Sequence, residues 1–272
     1  MGNLLRRTLH RAVPALKAGA VKAAVNLVSD NVTVQVQPVV LPLPGLPAAF
    51  AGYRVAMVSD VHLPRGERFI KRLLSMVAAQ KPDAVWIVGD LVNRHDRFDA
   101  AGLKALAEGL AAIAPCYAVA GNHERQTPEC EERFTRILRE AGITVLRDEA
   151  LAVEKDGARF TLFGVCARVP KKQPSALPRP IVALAHHPEY AERYAAAGFA
   201  AAVSGHAHGG QVRIGQQGLY APGQGILPQY TSGMYRVGGM RLFVGRGLGN
   251  GTCPVRVGNS LHLPVFFLSQ EA

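Results

Sequence analysis

Short apolar runs alternate with longer amphipathic stretches through the first half of the chain. Val55-Ala56-Met57-Val58, Ala84-Val85-Trp86-Ile87-Val88 and Tyr117-Ala118-Val119-Ala120 are continuous hydrophobic runs of strand length, the mark of strands buried on both faces. Each leads into a stretch of helical periodicity, near residues 67–80, 99–113 and 128–141. That alternation predicts βαβ units with largely parallel strands. The second half reads differently. Runs at 144–146, 151–153, 160–164, 181–185 and 201–203 come with one clear helix, near 188–197. Beyond Gly209 the chain turns glycine-rich, with strand candidates at 211–214, 240–244 and 265–268. The expectation is an α/β fold: a four-layer α/β/β/α sandwich of two mixed β-sheets flanked by helices.

Ahead of this pattern, Val32, Val34 and Val36 alternate with polar residues, as in an edge strand. The proline-rich stretch 38–47 reads as a rigid connector, so that 31–52 form an extended link into a main domain spanning 53–272. Residues 1–30 carry Arg6, Arg7, Arg11, Lys17 and Lys22 among Leu4, Leu5, Leu9, Val13, Leu16, Val21, Val25 and Val28. Apolar residues near helical spacing with basic residues between them predict a basic amphipathic helix, started or kinked at Pro14. Peripheral membrane contact and docking on the protein's own core both stay open, because amphipathicity alone does not separate them. Lysines and arginines interrupt any apolar signal-peptide region. No run of about 18 apolar residues predicts a spanning helix. The expected location is cytoplasmic, with the inner face of the membrane as the alternative.

Composition narrows the partners. A hydrophobic content of 49% with 19% charged residues is ordinary for a globular chain of 272 residues. The net charge of +11 favours anionic partners: phosphorylated small molecules, lipid surfaces or nucleic acid. No basic stripe interleaved with aromatics is present for stacking bases, which counts against nucleic acid, and no protein partner is evident. Cys116, Cys130, Cys166 and Cys253 lack metal or redox spacing. The stretch 168–180, with Lys171, Lys172 and four prolines, is a long non-periodic loop, a common place for function.

The candidate chemistry sits in five islands: Asp60-Val61-His62, Gly89-Asp90, Gly121-Asn122-His123-Glu124, His186-His187 and Gly205-His206-Ala207-His208. Most directly follow an apolar run. Carboxyl ends of parallel strands gather at one edge of a sheet, where α/β proteins place their chemistry. Carboxylate and amide oxygens mixed with imidazoles, and no thiolate, suit a pair of first-row divalent metals.

In that order the islands resemble the motif set of the calcineurin-like metallophosphoesterases. The likeness runs from about residue 42 to the C-terminus. Leu43-Pro44-Gly45-Leu46-Pro47, the run from Gly205 to Gln211, and Arg246-Gly247-Leu248-Gly249 are similar to a bacterial subgroup of membrane-associated phosphodiesterases. The resemblance implies that Asp60, His62 and His208 hold one metal and that Asn122, His186 and His206 hold the other, with Asp90 bridging. Mixed His, Asp and Asn donors suit manganese first, with iron, zinc, cobalt or nickel as alternatives. Such a pair clamps a substrate oxygen and supplies a bridging hydroxide for in-line attack on phosphorus. His123 is expected to face substrate as general acid or transition-state stabiliser, making His123 and Asp90 the catalytic pair. Arg125 and Asn93 are candidate substrate contacts; Arg94 and His95 lie beside them. His10 and His262 receive no role.

Blander readings exist for each residue. Asp60 could cap a turn, His206 and His208 could be a buried pair, and Arg125 could be a solvated arginine. His186 and His187 are adjacent, and the family pattern selects His186. All of these holding together is far rarer than any one. The expected function is hydrolysis of a phosphodiester or pyrophosphate, on a lipid-linked or nucleotide-sugar substrate such as UDP-2,3-diacylglucosamine, which a relative of this subgroup is implied to cleave. A nuclease or cyclic-nucleotide phosphodiesterase, and a metal-free binding scaffold, are the alternatives.

Overall fold

Alternate residues of the central strands face different apolar layers, and this parity builds the architecture. The computed structural model describes residues 32–93, 97–166, 176–251 and 255–271. In the first sheet, Val85 and Ile87 of β3 (Ala84–Val88) pack toward the helices α1 (Glu67–Ala79), α2 (Ala100–Ala111) and α3 (Pro128–Glu140). Trp86 and Val88 point the other way, into an apolar layer shared with the second sheet. In the second sheet, Val182 and Leu184 of β8 (Ile181–Ala185) meet that same layer, while Ala183 and Ala185 face α4 (Ala191–Ala196). Three apolar layers therefore separate helices, sheet, sheet and helix. This is the expected α/β/β/α sandwich, and residue parity two along each strand produces it.

The first sheet has the order β1–β16–β2–β3–β4–β5, with β1 (Val34–Leu43), β16 (Leu261–Gln270), β2 (Arg54–Val58), β4 (Cys116–Val119) and β5 (Thr144–Val145) joining β3. Strands β2 to β5 are parallel, and β16 is antiparallel to β2. The second sheet has the order β14–β15–β9–β8–β7–β6, made of β14 (Gly233–Val237), β15 (Met240–Val244), β9 (Ala201–Ser204), β8, β7 (Ala158–Val165) and β6 (Glu149–Lys155). Its outer pairs are antiparallel and its centre parallel. Two short hairpins, β10 (Arg213–Ile214) with β11 (Gln217–Gly218) and β12 (Tyr220–Ala221) with β13 (Gly225–Ile226), stand between β9 and β14.

Local chemistry sets the helix starts. Asp99 accepts a hydrogen bond from Gly102 N at the head of α2. Thr127 does the same for Cys130 N ahead of Pro128 at the head of α3.

Three sequence expectations change. The stretch 38–47 is more than a rigid connector into the domain: it lies largely within β1, which pairs with β16 over ten residues. Pro38 and Pro42 are tolerated because β1 is an edge strand, where a missing N–H need not break a ladder. The helix expected at 188–197 divides into a single 3₁₀ turn, Pro188–Tyr190, and α4. The strand expected at 211–214 shortens to β10, and β14 has no counterpart among the expected strands. The proposed N-terminal helix 1–30, with His10, and Arg94, His95, Lys171, Lys172 and Cys253 lie outside the described residues. Among the described residues no helix is long and apolar enough to cross a membrane.

Candidate metal centre

All five islands begin at the carboxyl end of a parallel strand: β2, β3, β4, β8 and β9. The strand-end loops of the two sheets are stitched together by hydrogen bonds. Asp60 N donates to Gly89 O (3.0 Å), Gly205 N to His186 O (3.2 Å), and His206 N to Asp60 Oδ1 (3.0 Å). The last bond crosses between the sheets, so both edges form one site.

The loops are strained where they carry side chains inward. Asp60, His62, Asp90, His206 and His208 all have φ between 47° and 66°. Left-handed backbone costs an L-residue on the order of 1–3 kcal/mol, and its concentration here is typical of functional positions. Glycine is required beside them. A Cβ on Gly121 would lie 2.2 Å from Asp90 Oδ1, and one on Gly205 2.4 Å from Asp60 Oδ2.

Two clusters result. The Asp60, His62 and His208 ligand atoms lie within 4.8 Å of one another, as do those of Asp90, His186 and His206. Asn122 joins the second cluster through Oδ1, 3.1 Å from His186 Nε2. Asp90 also reaches toward the first, with Oδ2 4.0 Å from His62 Nε2 and 3.2 Å from His186 Nε2. Asp60, His62, Asp90, His186, His206 and His208 are buried, and Asn122 is half-buried. His123 sits over the junction: its backbone N donates to Asp90 Oδ1 (2.9 Å), and its Nε2 is 3.9 Å from Asp90 Oδ2.

The chemistry of this donor set fits divalent cations. His186 donates from Nδ1 to Val88 O at 2.8 Å, which turns Nε2 toward two acceptors, Asp90 Oδ2 and Asn122 Oδ1, where a proton or a cation bridges them. Such a second-sphere carbonyl is what orients a metal-binding imidazole. Against the opposing pull of burial, the charges of Asp90 and Asp60 push His186 up to about 10, so this position attracts a cation. Burial lowers His62 to about 4 and His206 to about 3, and holds His208 well below the usual histidine range. Their rings are therefore neutral and able to donate lone pairs. Burial raises Asp60 to about 6, with the Asp90 charge adding to it. Asp90 itself, despite burial, is kept well below the carboxylate range by His186, His62 and His123. Asp60 Oδ2 and His62 Nδ1 are buried without a hydrogen-bond partner, further places for a cation or its bound solvent to satisfy.

The adjacent imidazoles diverge. His186 faces Asp90, whereas His187 Nδ1 pairs with Glu189 Oε1 at 3.0 Å. Glu189 Oε1 in turn lies 3.8 Å from His206 Nε2. Asn93 Nδ2 donates to His62 O (3.2 Å), bracing the loop that carries His62. Arg125 donates to Cys166 O and lies 3.8 Å from Glu131. With Asn122, His187, Tyr190 and Tyr194 it lines a cavity of about 280 Å³ beside the second cluster.

Several supporting residues lie beyond the reach of the sequence reading. Glu124 stands within its island with no role assigned there. Fully buried, it accepts from Asp90 N (2.8 Å), Val92 N (3.0 Å) and Gly121 N (2.7 Å), locking two metal-site loops together. Burial and the Asp90 charge raise it to about 7. Arg256 and Asn259, from the loop before β16, grip the His208 loop from behind. No local spacing marks them. Gly249, whose added Cβ would lie 2.0 Å from Val61 O, belongs to the Arg246-Gly247-Leu248-Gly249 run and is legible there.

A family profile described as calcineurin-like phosphoesterase matches residues 53–210. The chain is similar to Phosphodiesterase YaeI of Escherichia coli (strain K12), 28% identical over 210 residues, covering 74% of this chain and 76% of that protein. It is 25% identical over 244 residues to a Bacillus subtilis (strain 168) protein named uncharacterized metallophosphoesterase YkuE, covering 82% and 81%. It is 29% identical over 229 residues to the Danio rerio protein named transmembrane protein with metallophosphoesterase domain. That match covers 75% of this chain but 51% of the relative, so the chain spans about half of it.

Proposed function

The chain belongs to the calcineurin-like phosphoesterases, metal-dependent phosphoester hydrolases, and from that premise we propose that it cleaves a phosphodiester or pyrophosphate bond at a two-metal centre. Asp60, His62 and His208 would hold one ion and Asn122, His186 and His206 the other, with Asp90 between them. The observation that carries this reading is that one carboxylate, Asp90, stands within 4.0 Å of imidazoles from both clusters. Two bound divalent ions would supply a hydroxide near neutral pH and neutralise charge on the phosphoryl oxygens.

The chain's own residues do the rest. His123, fixed by its backbone bond to Asp90, stands where a ring N–H can stabilise the departing oxygen or hand it a proton. Arg125 presents a cation to the cavity beside Asn122, where a non-bridging phosphate oxygen or the substrate's far group would lie. Asn93 would act through the His62 loop, whose backbone its side chain braces.

Manganese is the first metal to test, followed by iron, zinc, cobalt and nickel. The favoured substrate is an amphiphilic phosphoester, with UDP-2,3-diacylglucosamine as the named example. Residues 1–30 are proposed to make peripheral contact with the inner face of the membrane. The test is metal analysis of the purified protein, then assay against bis-p-nitrophenyl phosphate, p-nitrophenyl phosphate and UDP-2,3-diacylglucosamine with Mn²⁺. Hydrolysis of the diester or pyrophosphate ahead of the monoester supports the proposal; hydrolysis of none overturns it.

A further inference from the structure

The cavity of about 280 Å³ beside the second cluster is walled by rings: His187, Tyr190 and Tyr194 line it with Val165, Asn122 and Arg125. Two of its residues tie it to the candidate metal centre. Asn122 is itself one of the proposed ligands. The His187 ring lies 5.1 Å from that of His186 and 4.4 Å from that of His206, centroid to centroid.

The rings are locked before any ligand arrives. His187 Nδ1 is held by Glu189 Oε1 at 3.0 Å, and the Tyr194 hydroxyl donates to His187 O at 2.8 Å. Tyr190 packs 5.6 Å from His187 with the planes tilted by 45°, and the Arg193 guanidinium stands 4.9 Å from the centre of the Tyr190 ring. Because the Tyr194 hydroxyl and His187 Nδ1 are bonded within the protein, what these residues offer a ligand is chiefly ring surface. Surface fixed in advance is used at little cost in side-chain entropy. Arg125 is anchored through Nη1 to Cys166 O and lies 3.8 Å from Glu131, which leaves further N–H groups and the flat face of its guanidinium.

These walls select the occupant. Arg125 lines the cavity and, among the described residues, no carboxylate does, which opposes an ammonium headgroup. The volume falls at the lower end of small-ligand sites and is too small for a pair of acyl chains. A single aromatic ring fits: it packs on tyrosine and imidazole rings at offset or edge-on angles, and a guanidinium stacks on its face.

Position tells which part of the substrate carries that ring. His123 belongs to the other side of Asp90, with its ring 4.7 Å from that of His62 in the first cluster. This inference rests on the function proposed above, in which the departing oxygen meets His123. The substituent beside the second cluster is then the one that stays on phosphorus. We infer that the cavity between His187, Tyr190 and Arg125 binds an aromatic ring on the retained substituent of the phosphoester. Tyr190 is a specificity-determining residue, and a monoester, which has no second substituent, leaves the cavity empty.

The test uses the full chain with Mn²⁺ and three diesters that share p-nitrophenol as leaving group. Bis-p-nitrophenyl phosphate retains an aryl ring, thymidine 5′-(p-nitrophenyl phosphate) a base, and methyl p-nitrophenyl phosphate neither. At least one ring-bearing ester should exceed the methyl ester in kcat/KM, and the better of the two identifies which kind of ring the cavity takes. Tyr190→Ala should cut that ratio roughly 5- to 100-fold, the range for loss of one ring-on-ring contact, chiefly through KM and with native circular dichroism. Calorimetric titration of the unaltered protein gives a readout without turnover: phenylphosphonate, which has no ester bond to cleave, should bind more tightly than methylphosphonate. No preference over the methyl ester, a ratio unchanged in Tyr190→Ala, or phosphonates of equal affinity would overturn the inference. Hydrolysis of no diester would instead defeat the function above, and the two phosphonates would still decide the cavity.

Discussion

Arg256 Nη2 lies 3.2 Å from His208 Nδ1, with its guanidinium fully buried. A guanidinium can only donate, so Nδ1 accepts, and the ring proton belongs on Nε2, 3.1 Å from His62 Nε2. The same guanidinium donates to Arg246 O (2.7 Å), Gly249 O (2.6 Å) and Asn250 Oδ1 (2.7 Å). It thereby ties the loop 246–250 to one imidazole. A neutral His208 takes a cation at Nε2 only once its ring proton sits on Nδ1, so metal loading would rearrange the Arg256 contact.

Arg256→Lys keeps the charge but cannot reproduce the fork of bonds. Stranding two or more buried acceptors costs about 1–3 kcal/mol each, which lowers the melting temperature by roughly 5–15 °C at this size. Differential scanning calorimetry and metal content read the outcome; unchanged values for both would show that the grip on His208 is unimportant.

His123→Ala should lower turnover of a diester by roughly 10²–10⁴-fold while both metals stay bound. Loss of metal in this variant, measured by elemental analysis, would instead make His123 a ligand.

Gly121→Ala places a Cβ 2.2 Å from Asp90 Oδ1 and 2.6 Å from Asp90 N. The Asp90 carboxylate must move, so metal content and activity should fall together while circular dichroism stays native. A variant with full metal occupancy would contradict the bridging role.

His262 on β16 is held well below the usual histidine value of 6.5, by burial first and then by Arg246, Arg256 and Arg213. It is neutral in the fold, with Nε2 2.8 Å from Gln37 Oε1 and Nδ1 accepting from Arg246 N at 3.3 Å. Because its folded pKa is depressed, its contribution to stability is fully present above about 6.5, where the unfolded histidine is also neutral. That contribution is lost as pH falls from there toward the folded value. His262→Gln should therefore flatten the fall in melting temperature between pH 7 and pH 5. An equally steep fall would assign the acid sensitivity to other groups.

Chelation should act on stability as well as rate. An ion that binds the folded state stabilises it by mass action, so removing metal with EDTA should lower the melting temperature, and Mn²⁺ should restore it. A melting temperature indifferent to chelator would argue against tight binding at the paired clusters.

Much of the site is legible in the sequence because its donors follow strands directly. A buried strand announces itself as an apolar run, and Asp60, Asp90 and Asn122 stand two or three residues past one. The proline-rich segment misleads because proline speaks against a central strand but not against an edge, and only pairing with β16 reveals which it is. Arg256 and Glu189 are invisible for a different reason. An arginine 48 residues beyond His208 carries no periodicity that marks it as buried against that ring.

Chain order and residue chemistry alone established the donor inventory, the strand-end placement and the family resemblance, because these follow from covalent sequence and local burial patterns. Packing decided which imidazole meets which carboxylate. His186 and His187 are neighbours of identical chemistry, yet one turns to Asp90 and the other to Glu189. That choice exists only once the two sheets close on the shared layer of Trp86, Phe243 and Phe266, which brings the β2–β4 loops against those of β8 and β9. The long-range contacts that orient a ligand are made by the same burial that holds the sheets together, so they appear only with the folded core.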